Sequence, residues 1–279
     1  MEFSPMLLHT SLRNHKQNPG KMSCYTGLAK LRRVKMGVLS MSELSANERI
    51  ILAIDTSGIE EAERLMSLAK DIGSKFVKCG LELSSTIGWQ GCSELAAEKN
   101  LEWVADAKLD DIPNTVAKTV RNIGSLDHAP FGITIHTTSG IEAMRVAQEE
   151  ADSIKMLGVT VLTSITDEEA RRLYRVPVRQ KVIELAYDAV DAGIKGIVSS
   201  PLEVGLIKNK PKTSNLFAMI PGTRSSSADV QDQARVGTPS AAIRDGADLL
   251  VVGRQITQAE NPTEAFEELI EEIKSSIHE

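Results

Sequence analysis

From Asp106 to Thr115 the chain reads Asp-Ala-Lys-Leu-Asp-Asp-Ile-Pro-Asn-Thr, with three acids and one lysine in its first six residues. In a β-strand, positions 106 and 108 point to one face. A carboxylate and an ammonium held side by side suit proton transfer, or the stabilisation of charge that develops during a reaction. Read as scaffold, the same two residues are a buried ion pair, which adds little net stability because desolvation opposes the Coulomb attraction. Asp111 precedes Pro113, a residue suited to a first helical turn, so helix capping is the plainer reading of that acid. More polar residues end other apolar runs: Asp55, Lys78, Thr163-Ser164, Pro221-Gly222-Thr223-Arg224 and Gly253-Arg254. Gly253-Arg254 suits an anion, since glycine lets the backbone come close and the guanidinium fork matches phosphate oxygens. A strand-end hydrogen bond for Thr163 and a solvated surface position for Arg254 are the plainer alternatives. The five histidines (His9, His15, His128, His136, His278) form no HxH or HExxH spacing, so no metal site is expected.

These residues need a scaffold that brings them together. Short, continuous, Val- and Ile-rich runs recur at Ile50–Ile54, Phe76–Cys79, Glu102–Ala107, Gly132–Ile135, Met156–Leu162, Gly196–Val198, Leu216–Ile220 and Leu249–Val252. Strands buried on both faces read this way. Amphipathic stretches lie between them: Ile59–Lys70, Ser93–Lys99, Pro113–Ile123, Ile141–Gln148, Arg179–Ala192, Ser240–Asp245 and Thr263–Ile277. Eight strands alternating with helices predict an α/β fold, a single-domain (β/α)8 TIM barrel. The rival, an open doubly wound sheet, usually carries a glycine-rich fingerprint after its first strand. Here that strand runs into Asp55-Thr56-Ser57-Gly58. A barrel keeps its chemistry at the carboxyl ends of its strands, where the polar residues above fall, and often seats phosphate beside the last two.

Composition bounds the rest. The 279 residues carry 32 Lys+Arg against 38 Asp+Glu, a net charge of −6, which offers no general basic field for nucleic acid. No run is long and apolar enough to span a bilayer. Cys24, Cys79 and Cys92 make neither a disulfide framework nor a paired knuckle, so buried or idle thiols in a reducing, cytoplasmic setting are expected. The ends are unlike. Residues 1–42 hold seven basic residues and one acid, which leaves 25 basic and 37 acidic residues for 43–279. Residues 1–45 read as a disordered basic extension upstream of the true start, or else as an organellar targeting peptide. The barrel is expected over 46–279.

The ordered motifs resemble the orotidine 5′-monophosphate decarboxylase family. They are Asp106-x-Lys108-x-x-Asp111-Ile112-Pro113-Asn114-Thr115, Ile51–Asp55, Val77–Gly80, Val159–Ser164, Pro221–Arg224, Asp232–Pro239 and Val251–Arg254, spread over roughly Ile50 to Glu267. The resemblance implies conversion of orotidine 5′-monophosphate to UMP and CO2, the last step of de novo pyrimidine nucleotide synthesis, without cofactor or metal. It implies that Asp106 lies against the substrate carboxylate, that Lys108 protonates C6, and that Lys78 and Asp111 complete an alternating charge array. Asp111, Ile112 and Thr115 would reach into a neighbouring subunit, making a homodimer with shared sites. Asp55 would bind the ribose and Thr163 the pyrimidine, with Pro221 in the substrate site. Gln233, Gly253, Arg254 and Arg224 would hold the phosphate and its loop. The chain departs from the family in Asp110, where many members carry His or another residue, in the loosely specified stretch 225–229, and in the leading segment. Two other readings stand beside this one. A metal-assisted hexulose-phosphate synthase or ketogulonate-phosphate decarboxylase places an acidic magnesium ligand at the end of strand 2, where this chain has Lys78. A non-catalytic nucleotide-phosphate-binding barrel has no need of a proton donor opposed to a carboxylate.

Overall fold

The computed structural model describes residues 44–225 and 237–277. The Val- and Ile-rich runs form strands because branched side chains suit an extended backbone covered on both faces. They are β1 (Ile50–Ile54), β2 (Phe76–Cys79), β3 (Glu102–Leu109), β4 (Gly132–His136), β5 (Lys155–Val159), β6 (Gly196–Val198), β7 (Phe217–Pro221) and β8 (Leu249–Val252). Each pairs in parallel with the next, and β8 returns to β1 with Ile51 opposite Val251. The architecture is the expected (β/α)8 barrel and not the open sheet.

The helices are α1 (Ile59–Asp71), α2 (Leu81–Lys99), α3 (Pro113–Gly124), α4 (Ile141–Glu150), α5 (Asp167–Tyr174), α6 (Val178–Asp191), α7 (Val204–Lys208), α8 (Pro239–Arg244), α9 (Arg254–Thr257) and α10 (Pro262–Ile277). Three of these were not anticipated. α7 and α9 are only five and four residues long, too short to display a helical period. α5 did carry a signal, the Thr166-x-x-Glu169 capping box, in which the Thr166 amide donates to Glu169 Oε2 at 3.0 Å. α2 begins well before the expected Ser93, because Gly88 at φ 68° breaks the period that would have joined its two halves.

Strand alternation sorts the apolar residues into two layers. Ile50, Leu52 and Ile54 face outward into the core shared with the helices. Ile51, Phe76, Val104, Leu157, Phe217 and Leu249, of the opposite parity, fill the barrel. Leu157 occupies the room left by a glycine: a Cβ on Gly196 would lie 2.5 Å from Leu157 Cδ2. The lower end is closed by aromatic rings, with Phe131 5.1 Å from Phe76 and 6.1 Å from Phe217, centroid to centroid. Lys155, the first residue of β5, sets its Nζ 5.7 Å and 5.5 Å from the Phe131 and Phe217 centroids.

The basic leading segment up to residue 43, with Cys24, lies outside the described residues. Leu44 is already buried, and Ser45 caps a short turn over Ala46–Arg49. Cys79 and Cys92 are buried free thiols. No helix among the described residues is long and apolar enough to cross a membrane.

Candidate active site

At the carboxyl ends of the strands a cavity of about 630 Å³ opens. Asp55, Lys78, Asp106, Lys108, Thr163, Pro221, Arg224, Gly253 and Arg254 all line it. Nine residues singled out by type and spacing, far apart in the chain, therefore share one cavity.

Four of them make a chain of alternating charge. Lys78 Nζ lies 3.0 Å from Asp55 Oδ1 and 3.3 Å from Asp106 Oδ2, and Lys108 Nζ lies 2.7 Å from that same Asp106 oxygen. The order is anion, cation, anion, cation. Asp106 is only 7% exposed. Burial pushes its carboxyl up, but Lys78 and Lys108, with hydrogen bonds from Lys108 and Thr134, outweigh this and hold it below the ordinary aspartate value. Burial likewise pulls Lys78 down, and Asp106 and Asp55 overcome it, so that lysine is held above its ordinary value. Both groups stay charged because each supplies what the other needs.

Asp106 and Lys108 meet through a distorted strand and not a flat one. Between β3 and β4 the register jumps: Ala105 pairs with Ile133, but the next pair is Leu109 with Ile135. The extra β3 residues bulge, and Lys108 takes φ +45°, a left-handed backbone that few side chains adopt without cost. Thr134 holds this shape. Its buried hydroxyl accepts the Lys108 amide at 2.8 Å and donates to Asp106 Oδ1 at 3.0 Å. Strained backbone of this kind persists only where surrounding contacts enforce it. Gly80, just after β2, matters for a different reason: a Cβ there would come within 3.2 Å of Lys78 Nζ.

Asp111, Ile112 and Thr115 do not line the cavity. All three are exposed at the start of α3, and Ile112, a large apolar residue, is 66% exposed. Ile112, not Asp111, is the N-cap of α3; the Asp111 carboxylate reaches only the adjacent Ile112 amide, at 2.6 Å. The capping reading of Asp111 is thus set aside, because its side chain accepts the amide of the N-cap residue itself and not those of Asn114 or Thr115, which a cap must satisfy. Gln233 lies outside the described residues.

Thr134 was missed, since it looks like any β-branched strand residue. Ser199 and Met219, which also line the cavity, sit in apolar strand contexts that hide them. His136 ends β4 near Asp106 and Lys108, and burial holds its imidazole below the ordinary value, Lys108 adding to the effect against Asp110 and Asp106. Among the described residues, no group of three or more His, Cys, Asp or Glu side chains is placed to hold a metal ion.

A closed (β/α)8 barrel with a charged cavity at the carboxyl ends of its strands is the architecture of a barrel enzyme. Within that class, the model of the orotidine 5′-phosphate decarboxylase / HUMPS family matches residues 48–269, and the chain belongs to that family. It is 36% identical over 243 residues to the orotidine 5′-phosphate decarboxylase of Pelobacter propionicus, covering 84% of this chain and 98% of that one. It is 37% identical over 241 residues to the enzyme of the same name from Carboxydothermus hydrogenoformans, covering 83% and 98%. Among solved structures, the orotidine 5′-phosphate decarboxylase of Lactobacillus acidophilus superposes with a TM-score of 0.70 at 28% identity, over 81% of this chain and 99% of that one. An uncharacterized conserved protein from Geobacillus kaustophilus does so with a TM-score of 0.67 at 26% identity, over 80% and 99%.

Proposed function

We propose that this protein decarboxylates orotidine 5′-monophosphate to UMP and CO2, the closing step of pyrimidine nucleotide synthesis, and needs no cofactor to do so. The observation that carries the reading is the buried Asp106 carboxylate fixed 2.7 Å and 3.3 Å from two ammonium groups at the cavity wall. With substrate bound, Asp106 faces the substrate carboxylate and repels it. As the C6–carboxylate bond breaks, CO2 leaves and the electron pair stays on C6, in a ring plane where no π-system spreads it. The Lys108 ammonium stabilises that pair and gives C6 its proton; the neutral amine then regains a proton from solvent. Negative charge lost at the carboxylate and gained at C6 is met by fixed charges that need no reorganisation, and each ~1.4 kcal/mol of such preference is tenfold in rate.

Lys78 locks Asp106 in place and joins it to Asp55, which binds the ribose. Thr163 bonds the pyrimidine, and Pro221 forms part of the wall. Arg224, Gly253, Arg254 and Gln233 take the phosphate, whose binding energy holds C6 against Lys108. The exposed Asp111, Ile112 and Thr115 complete the site of a second copy, so the working unit is a homodimer. The hexulose-phosphate branch of the family is disfavoured by Lys78: its ammonium, paired with Asp55 and Asp106, stands at the end of β2, where that branch places an acidic magnesium ligand. Incubating orotidine 5′-monophosphate with the protein in excess chelator, and following the pyrimidine absorbance, tests the reading. Conversion to UMP that Lys108→Ala abolishes is expected. Tight UMP binding without turnover would leave a nucleotide-binding barrel in its place, and activity lost to the chelator would restore the metal-dependent branch.

A further inference from the structure

The two arginines that line the cavity are each followed by a residue that does not line it. Ser225 follows Arg224 and Gln255 follows Arg254, and these followers bond to each other twice. Gln255 Nε2 donates to Ser225 Oγ at 2.7 Å, and the Ser225 amide donates to Gln255 Oε1 at 3.3 Å. Ser225 Oγ in turn donates to Glu272 Oε2 on α10 at 2.8 Å, and the other Glu272 oxygen accepts the Ser240 amide of α8 at 3.1 Å. One carboxylate thus ties together the segment after β7, the first turn of α9 and the start of α8. The backbone agrees: the Arg224 amide donates to Gly237 O at 3.0 Å, next to the bridge between Thr223 and Gly237.

We infer that Gln255 and Glu272 are positioning residues that set the spacing of Arg224 and Arg254 for a phosphate monoester. The inference rests on the reading of this side of the cavity as the phosphate end. β7 and β8 alone fix where the strands stop, not where the guanidinium groups go. The Gln255–Ser225 clamp joins the two segments one residue beyond each arginine, and Glu272 fixes that clamp to a long helix whose apolar face is buried. Preorganisation of this kind saves the cost of ordering two flexible cations at the moment of binding.

The test compares UMP with uridine, which lacks the phosphate, by calorimetric titration of wild type, Gln255→Leu, Glu272→Leu and Glu272→Gln, with thermal melts beside them. Wild type should bind UMP far more tightly than uridine. Gln255→Leu and Glu272→Leu should each shrink that preference about 10-fold, the effect of losing hydrogen bonds to a positioned group, and leave uridine binding unchanged. KM for the phosphorylated substrate should rise in parallel, and Glu272→Gln, which still accepts the Ser240 amide, should recover most of the preference. Ser225→Ala, a smaller change, should give an intermediate shift if Glu272→Leu folds poorly. An unchanged UMP-to-uridine ratio in folded Gln255→Leu overturns the inference and makes the network a purely structural one. A wild type that does not distinguish UMP from uridine overturns the phosphate reading itself, and this inference with it.

Discussion

Lys78 and Lys155 both point into the same barrel, from opposite ends, and burial weakens the charge of each. At the upper end two carboxylates flank Lys78 and raise its proton affinity above the ordinary value in spite of burial. At the lower end Lys155 has two phenylalanine rings below its ammonium; burial and then Lys195 depress it, against the pull of Asp248. The difference shows how the molecule divides its work. The lower end closes the barrel with apolar area and tolerates a weakened cation. The upper end buries Lys78 and Asp106 and pairs them with the more exposed Asp55 and Lys108, an arrangement that costs about as much as it returns in stability and so makes sense only as a site.

Substitutions at the upper end should therefore be the most damaging to function. Lys108→Ala should lower turnover about 10⁴-fold, the upper range for a positioned proton donor, with little change in the unfolding midpoint. An activity within tenfold of wild type, in the absorbance assay, would mean that proton delivery lies elsewhere. Asp106→Asn keeps the shape but leaves Lys78 and Lys108 with a shared partner removed. Breaking a buried pair in this way should cost about 3–5 kcal/mol in urea unfolding at pH 7. Lys155→Met, at the other end, should stay within about 1 kcal/mol, because the loss of its two cation–π contacts is offset by removing a half-buried ammonium. Equal costs at the two ends would erase the contrast.

Thr134→Val probes the same site more gently. Removing the hydroxyl leaves the buried Asp106 oxygen and the Lys108 amide each one partner short, at about 1–3 kcal/mol of stability. Turnover should fall about 10–100-fold as Lys108 leaves its left-handed geometry, a loss that Thr134→Ser should largely restore. If Thr134→Val kept full activity, the bulge would be held by something other than this hydroxyl.

The sequence made the barrel and most of the charged array legible because both are written in local patterns. Continuous Val and Ile runs mark strands covered on both faces, and charges directly after such runs fall at the mouth; all eight strands lie where those runs stand. Asp106 and Lys108 were paired by strand parity, and the structure pairs them through a bulge, so the conclusion holds for a different geometric reason. What stayed hidden depends on contacts between distant segments. Thr134 is an ordinary strand threonine until β4 is laid beside the bulge. Gln255 and Glu272 are ordinary helix residues until α9 and α10 pack against the segment after β7. The exposed Ile112 was expected at a neighbouring subunit on resemblance alone, since nothing in its local pattern marks it.

The smallest effect tests the comparison most directly, through pH. Because the folded state holds Lys155 below its ordinary value, the unfolded chain binds more protons than the folded one between the folded pKa and about 10.4. Stability contributed by this residue must therefore rise with pH across that window. Lys78 has the opposite sign: its contribution is complete below about 10.4 and is lost as pH climbs from there through its raised folded pKa. Lys155→Met removes the first slope and leaves the second. Urea unfolding of both proteins at pH 7, 8, 9 and 10 should accordingly show wild type gaining on the variant as pH rises. Parallel curves would mean that the rings and Asp248 compensate Lys155 as fully as the two carboxylates compensate Lys78, and that the two ends of the barrel handle buried charge alike.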